Sequence, residues 1–283
     1  MNTKIDSTRV AKLILAVSLS FFASATSLFA WGRDGHQIVA TIAGRGLSLN
    51  ASAAVRVLLD GRSLAEIAPL PDDWRATQKE TIGWHYVNIP ISDTKYDAKR
   101  DCLAQTGEVG HNCVVAAIDH FRVVLADRTA TKADRVRALT FIVHFLGDAH
   151  QPLHCADNHD RGGNGVTVDW FGLTTLDGYP VNLHAVWDEG IIEHTGMTVN
   201  QYAAHLLQMT PPADAATGTP VDWVNESYEL AKAHAYKLPP GNPPKLGEQY
   251  FKDNLPIVDK QLLRGGLRLR AVLEAALGAA PPK

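Results

Sequence analysis

The stretch FIVHFLGDAH, residues 141–150, sets His144 and Asp148 four residues apart inside an otherwise apolar helical pattern. Residues four apart share one face of a helix, so both polar groups are committed to whatever that face is buried against. An ionised carboxylate taken out of water without a partner is strongly destabilising. The interior of this chain must therefore supply something that compensates Asp148. The same spacing recurs in NLHAVWD, where His184 and Asp188 are four apart, and His154 stands six residues beyond Asp148, past Gln151-Pro152. Either pair alone reads as a local ion pair. Two pairs with an additional histidine read as a polynuclear metal site, because zinc accepts imidazole and carboxylate together. His150 and His154 also form HxxxH, but HExxH is absent, which disfavours a thermolysin-like protease.

The surrounding pattern predicts a mainly α-helical single domain. Residues 114–126 and 134–149 carry apolar residues at spacings of three and four, the signature of core helices. Gly35 to Gly44 opens apolar, and Asn50 is placed to cap an amphipathic run over 51–59. A Gly/Asn/Asp-rich loop follows from Asp157 to Gly165, then a short strand over 166–171 and a helix over 183–192. Further helices are expected over 200–209, 221–236 and 246–278, interrupted by KLPPGNPPK. At 46% hydrophobic residues and 20% charged, the chain can bury a sizeable core, and no segment has the length or composition of a linker between domains.

The first thirty residues read as a secretory signal: Lys4, Arg9 and Lys12 precede an apolar stretch from Leu13 to Ala30 broken by Ser18, Ser20 and Ser24. Ala23-Ser24-Ala25 fits the small-x-small cleavage rule better than Leu28-Phe29-Ala30, but only a cut after Ala30 leaves Trp31 as the new N-terminus. The whole chain has a formal net charge of −3, and losing the leader makes the remainder two charges more negative. A duplex-coating protein with a basic face is disfavoured on that balance, while bound metal can still supply a local positive site. Three cysteines in an exported chain suggest one disulfide and one thiol. Cys102 and Cys113 flank a short Gly-containing loop and are the expected pair, leaving Cys155, directly after His154, as either a buried small side chain, the commoner case, or a thiol near a metal.

WGRDGH, HFLGDAHQPLH, GGN and NLHAVWD, in this order, closely resemble the zinc-dependent single-strand nucleases of fungi, plants and bacteria, the S1/P1 type. The resemblance runs from Trp31 through most of the chain, including WVNES and QLLRGGLRL, and HFLGDAHQPLH is its specific part. It implies a secreted or periplasmic enzyme whose domain spans 31–283, a mainly helical fold around three zinc ions related to zinc phospholipase C, and cleavage of single-stranded DNA and RNA, often with removal of a 3′-phosphate from nucleotides. It implies no stable membrane association and favours a monomer.

Residue by residue, the resemblance implies that Asp72, His85, His144 and Asp148 hold one zinc; Trp31, His36 and a bridging Asp148 a second; and His154, His184 and Asp188 the third. Trp31 would bind through its free amine and carbonyl, which selects cleavage after Ala30. Asp72 followed by Arg75 matches the family spacing, with adjacent Asp73 as the other candidate ligand. Arg75 is expected to clamp phosphate or else to pair with Asp73 at the surface. Tyr86, Asn88 and Asn164 are implied as the nucleotide pocket, with Asn88 standing where fungal members carry an aspartate. Metal-activated water would attack phosphorus, with Asp72, Arg75 and Asp148 at the reacting centre.

Two other readings fit parts of the pattern. Bacterial zinc phospholipase C shares the N-terminal Trp and the HxxxD-then-His spacing, but its last ligand pair is typically His/Glu, so Asp188, Arg75 and GGN favour a nuclease. A non-catalytic exported zinc-binding protein would differ in having closed coordination with no open position.

Overall fold

The protein is described here by a computed structural model covering residues 31–176 and 179–279. The expected leader, 1–30, lies outside the described residues.

Helix α1 (Arg33–Arg45) opens with Asp34 in its first turn and closes with Arg45 in its last, charges that suit the helix dipole, and buries His36, Ile38, Val39 and Ile42. The second helix, α2 (Leu49–Leu58), is capped by Ser48, whose hydroxyl accepts from the Ala51 N–H. Asn50 is therefore not the cap. It sits inside the first turn, and its side-chain amide donates to the Gly278 carbonyl at 3.2 Å. Leu49, 90% exposed, begins the helix without joining its apolar stripe, which is why periodicity misplaced the start.

A Ser63/Glu66 capping box starts α3 (Leu64–Ile67), and α4 (Leu70–Trp74) with the 3₁₀ segment Lys79–His85 delivers Asp72 and His85 to the interior. After α5 (Ala98–Asp101), Cys102 and Cys113 form the expected disulfide, and Cys155 is free and buried. The two core helices follow: α6 (Val114–Ala126), as its spacing predicts, and α7 (Lys132–Asp148), started by a Thr131 cap. Phe121 and Phe141 stack at 4.6 Å between them, Phe145 lies 5.1 Å from Phe141, and Trp84 meets Phe141 edge-on at 5.6 Å. Burying each of these rings contributes on the order of 1.5–3 kcal/mol. From Ala138 onward every residue of α7 is buried, so its C-terminal half is central and its ends of polarity, His144 and Asp148, are fully enclosed.

The strand expected over 166–171 shrinks to β1 (Asp169–Trp170), which pairs with β4 (Lys245–Leu246) in parallel; Phe171 turns the chain away at φ 52°, and the Asp169 carboxylate accepts from the Gly172 N–H. A second small ribbon joins β2 (Thr175–Leu176) and β3 (Tyr179–Pro180). The helix expected over 183–192 is interrupted: α8 (Leu183–Ala185) passes through a π turn, Val186–Gly190, into α9 (Ile191–His194). Then come α10 (Val199–Leu206), α11 (Pro220–Leu230) with a second π turn over Ala231–Ala235, and the long α12 (Glu248–Leu277). The last helix starts two residues later than its pattern suggests because Lys245–Leu246 are held by β1.

Helices α11 and α12 clamp the end of α7. The Ser227 hydroxyl donates to the Ala149 carbonyl at 2.7 Å, Gln261 donates to the His150 carbonyl at 3.2 Å, and Arg268 lies 2.8 Å from His150 Nε2. His150 is thus a structural histidine. Burial pushes its pKa down to about 3, so the imidazole is neutral and can accept from the Arg268 guanidinium. No helix among the described residues is long and apolar enough to cross a membrane.

Candidate active site

Three His/Asp groups meet at the centre of the fold: His36, His144 and Asp148; Asp72, His85 and His144; and His154, His184 and Asp188. Within each group the potential ligand atoms lie within 4.8 Å of one another. Six elements deliver them. Helix α1 brings His36, α4 brings Asp72, the 3₁₀ segment brings His85, α7 brings His144 and Asp148, the turn after α7 brings His154, and α8 with its π turn brings His184 and Asp188.

Asp148 divides its carboxylate between two sides. Oδ1 lies 3.5 Å from His36 Nε2, while Oδ2 lies 3.2 Å from His85 Nδ1 and 3.3 Å from His144 Nε2. Such an arrangement suits a carboxylate shared between two cations. The approach of α1 depends on Gly147: a Cβ there would come within 2.6 Å of His36 Nδ1. With glycine in that place the His36 ring stacks on His144 at 3.7 Å.

The pair Asp72/Asp73 separates cleanly. Asp72 Oδ1 lies 3.6 Å from both His85 Nδ1 and His144 Nε2, whereas exposed Asp73 reaches outward to Arg33 at 3.8 Å. Arg75 pairs with Asp72, at 2.9 Å, rather than with Asp73. In the third group His184 Nε2 lies 3.2 Å from Asp188 Oδ2 and 3.1 Å from His154 Nε2. The π turn widens the helix at Asp188, a departure often found at functional positions.

Three of the five histidines are oriented by backbone carbonyls through their other ring nitrogen. His144 Nδ1 donates to the Ala68 carbonyl at 2.7 Å, His154 Nδ1 to the His85 carbonyl at 2.8 Å, and His184 Nδ1 to the Gly162 carbonyl at 2.6 Å. Each contact fixes a tautomer with Nε2 unprotonated, the form that ligates metal. Trp31 is fully buried near this cluster, and the Gly32 N–H following it donates to the Asp188 carbonyl at 2.9 Å.

Electrostatics argue that these groups fit a cation. Burial pushes the Asp72 carboxyl up to about 7 against the pull of Arg75, and raises Asp148 and Asp188 well above the usual carboxylate range. Burial, reinforced by neighbouring imidazoles, lowers His36 and His85 well below the ordinary histidine value, and His144 falls to about 3. The cluster is a set of neutral imidazoles around three carboxyl groups, of which Asp72 is paired with Arg75 while Asp148 and Asp188 face imidazoles. Both Asp148 oxygens and His36 Nε2, which faces them, are buried with no hydrogen-bond partner, the condition expected of metal-ligand atoms.

A cavity of about 110 Å³ opens beside the cluster. Its wall brings together Arg75, Tyr86, Asn88 and Asn164, all four of the residues expected to meet substrate, with His85, His154 and His184 at the inner end. Two residues that the sequence reading passed over also belong here. Gln151, fully buried, donates to Asp188, and Arg161 lines the same cavity wall. The Gln-Pro step reads as a helix stop and Arg161 as one charge in a polar loop, so neither carries a spacing signal.

A helical domain with a buried His/Asp donor cluster beside a cavity lined by Arg75, Tyr86, Asn88 and Asn164 defines a protein of the metal-site type. The family model described as S1/P1 Nuclease matches residues 31–278, and the chain belongs to that family. It is similar to Endonuclease 4 of Arabidopsis thaliana, 34% identical with 89% of this chain and 90% of that protein covered. Nuclease S1 of Aspergillus oryzae is 26% identical over 92% of this chain and 96% of its own length. Nuclease P1 of Penicillium citrinum is 34% identical over a shorter stretch, 56% of this chain and 57% of its own. The protein is a nuclease acting on nucleic acid.

Proposed function

We propose that this chain is an exported zinc enzyme that hydrolyses phosphodiester bonds in single-stranded DNA and RNA and also removes 3′-phosphates from nucleotides. The observation that carries the reading is the cavity itself: Tyr86, Asn88 and Asn164 share one wall with the inner-end histidines, so a base must leave its stack to enter. Tyr86 offers an aromatic face and Asn88 and Asn164 offer amides to the base edge. Arg75, held by Asp72, presents a guanidinium to the phosphate at the inner end.

Three zinc ions are proposed, one per His/Asp group with Asp148 shared, and Trp31 completing the His36 group through its N-terminal amine after removal of the leader. Bound there, zinc supplies Lewis-acid polarisation of phosphate oxygens and a nucleophile at neutral pH. The chain's own residues hold that centre in place: backbone carbonyls set the tautomers of three histidines, and Asp148 and Asp188 supply negative charge. The disulfide agrees with an oxidising compartment. A monomer is sufficient, because every proposed ligand comes from one chain.

Parallel turnover assays test the reading, using single-stranded DNA, RNA, a stable blunt duplex, a 3′-nucleotide and phosphatidylcholine. Rapid cleavage of the single strands and slow, fraying-limited cleavage of the duplex are expected. Equal cleavage of duplex would overturn the strand preference, and turnover of phosphatidylcholine alone would assign the site to phospholipid.

A further inference from the structure

We propose that Arg161 is a substrate-binding residue that takes the phosphate neighbouring the scissile one, so that the cavity grips a strand at two phosphates. The inference rests on the nuclease reading above and extends it to a residue to which that reading gives no role.

Three observations lead to it. Arg161 and Arg75 line the same 110 Å³ cavity. Arg75 is held at the metal end by Asp72, whereas Arg161 is exposed, and no carboxylate among the described residues lies within ion-pair distance of it. A cation without a carboxylate at the mouth of a nucleotide cavity suits an anionic group of the ligand, and guanidinium matches phosphate in geometry as well as charge.

The backbone gives the second observation. Arg161 has φ 60°, in the left-handed region that side chains other than glycine rarely adopt. It precedes Gly162 at φ 61° and Gly163 at φ 83°, and follows His159 at φ 59°. Glycine would suit position 161 at lower conformational cost, so the arginine side chain is carried there against local preference. Such a residue points to function when the surroundings enforce its conformation.

The surroundings do enforce it, which is the third observation. One oxygen of Asp157 accepts from the backbone N–H groups of Asp160, Arg161 and Gly162 at 3.1, 2.9 and 3.3 Å. Asp160 accepts from the Gly163 N–H at 2.8 Å and from the Tyr236 hydroxyl at 2.9 Å. The Arg161 carbonyl accepts from the Asn164 side-chain amide at 2.9 Å, and the Gly162 carbonyl orients His184. A rigid turn thus presents Arg161 between a base-edge residue and a metal-group histidine. With the scissile phosphate at the metal groups and the base on Tyr86, the phosphate left for Arg161 is the adjacent one along the strand.

The test compares zinc-loaded wild type, Arg161→Gln, Arg161→Lys and Arg161→Gly on a single-stranded oligonucleotide and on a dinucleoside monophosphate, which has one phosphodiester and no neighbour. For the oligonucleotide, Arg161→Gln and Arg161→Gly are expected to raise KM about tenfold with kcat little changed. The slope of log(kcat/KM) against log[salt] is expected to lose about 0.7 in both, and to be kept in Arg161→Lys. The dinucleoside monophosphate should be cleaved alike by all four. Arg161→Gly should melt no lower than wild type, which separates the side chain's role from any loosening of the turn. Equal losses on both substrates, or unchanged KM on both, would overturn the proposal while leaving the nuclease reading intact. Failure of wild type to cleave the oligonucleotide would instead remove the reading on which it rests.

Discussion

Gln151 and Asp188 are joined by a buried hydrogen bond, Gln151 Nε2 donating to Asp188 Oδ1 at 2.5 Å, while Gln151 Oε1 accepts from the Leu153 N–H at 2.5 Å. Both ends of the amide are fixed, so Asp188 is held with Oδ2 toward His184. Replacing Gln151 with Met keeps volume but removes the donor. The His154/His184/Asp188 group is expected to lose about 10- to 100-fold in zinc affinity, the usual cost of an outer partner. Elemental analysis during titration with a graded chelator measures this. Equal loss from all three groups would show that Gln151 supports the fold alone.

Asp148→Asn removes the charge that two groups share. Zinc content is expected to fall at both the His36 and the His85 groups, and activity by more than about 100-fold, beyond the effect of an outer-partner change. Chelation of the wild type should abolish cleavage and zinc should restore it. Full activity in protein shown to contain no zinc would refute a metal role for the cluster.

Extra residues before Trp31 convert its amine into an amide, a poor ligand. Protein carrying an uncleaved N-terminal extension, verified by intact mass, is expected to bind less zinc and turn over more slowly than protein beginning at Trp31. Equal zinc content in the two forms would place Trp31 in the core only.

Tyr86→Ala is expected to weaken single-strand binding by about 1–3 kcal/mol, the range for a base stacked on an aromatic ring, with zinc content preserved. A normal KM combined with loss of cooperative unfolding would instead make Tyr86 a packing residue.

Asp259 offers a test away from the active site. Burial raises its pKa, opposed by the Tyr202 hydroxyl, which donates to Oδ1 at 2.6 Å, and by His205. A folded-state pKa above the unfolded value means that the folded state binds the proton more tightly. Its stabilising contribution is present at low pH and is lost as pH rises through the folded value. Asp259→Asn keeps the accepting oxygen and removes the charge, so it should melt higher than wild type at pH 7 and level with it below about pH 3.8, the carboxyl's ordinary value. Thermal melts of the zinc-loaded proteins across that range decide the matter.

The spacing of His144 with Asp148 and of His184 with Asp188, and the helical periods of α6 and α7, were legible in the sequence because helix geometry is local: residues four apart must share a face whatever the rest of the chain does. The cysteine pair was legible too, its loop being short and the chain having one other thiol. What lay beyond the sequence depends on contacts between distant segments. Asp72 rather than Asp73 turns inward because α4 presents it to α7; Asp148 splits its oxygens because Gly147 admits His36; Arg75 takes Asp72 as its partner for the same reason. The π turn at Asp188 breaks a helix that periodicity reads as regular, and Gln151 and Arg161 acquire meaning only once α8 and the loop at Asp157 are packed beside them. Local spacing determined which side chains lie together on an element. Long-range packing alone decided which carboxylate oxygen, imidazole nitrogen or guanidinium they face, since those distances are set by how separate elements interlock.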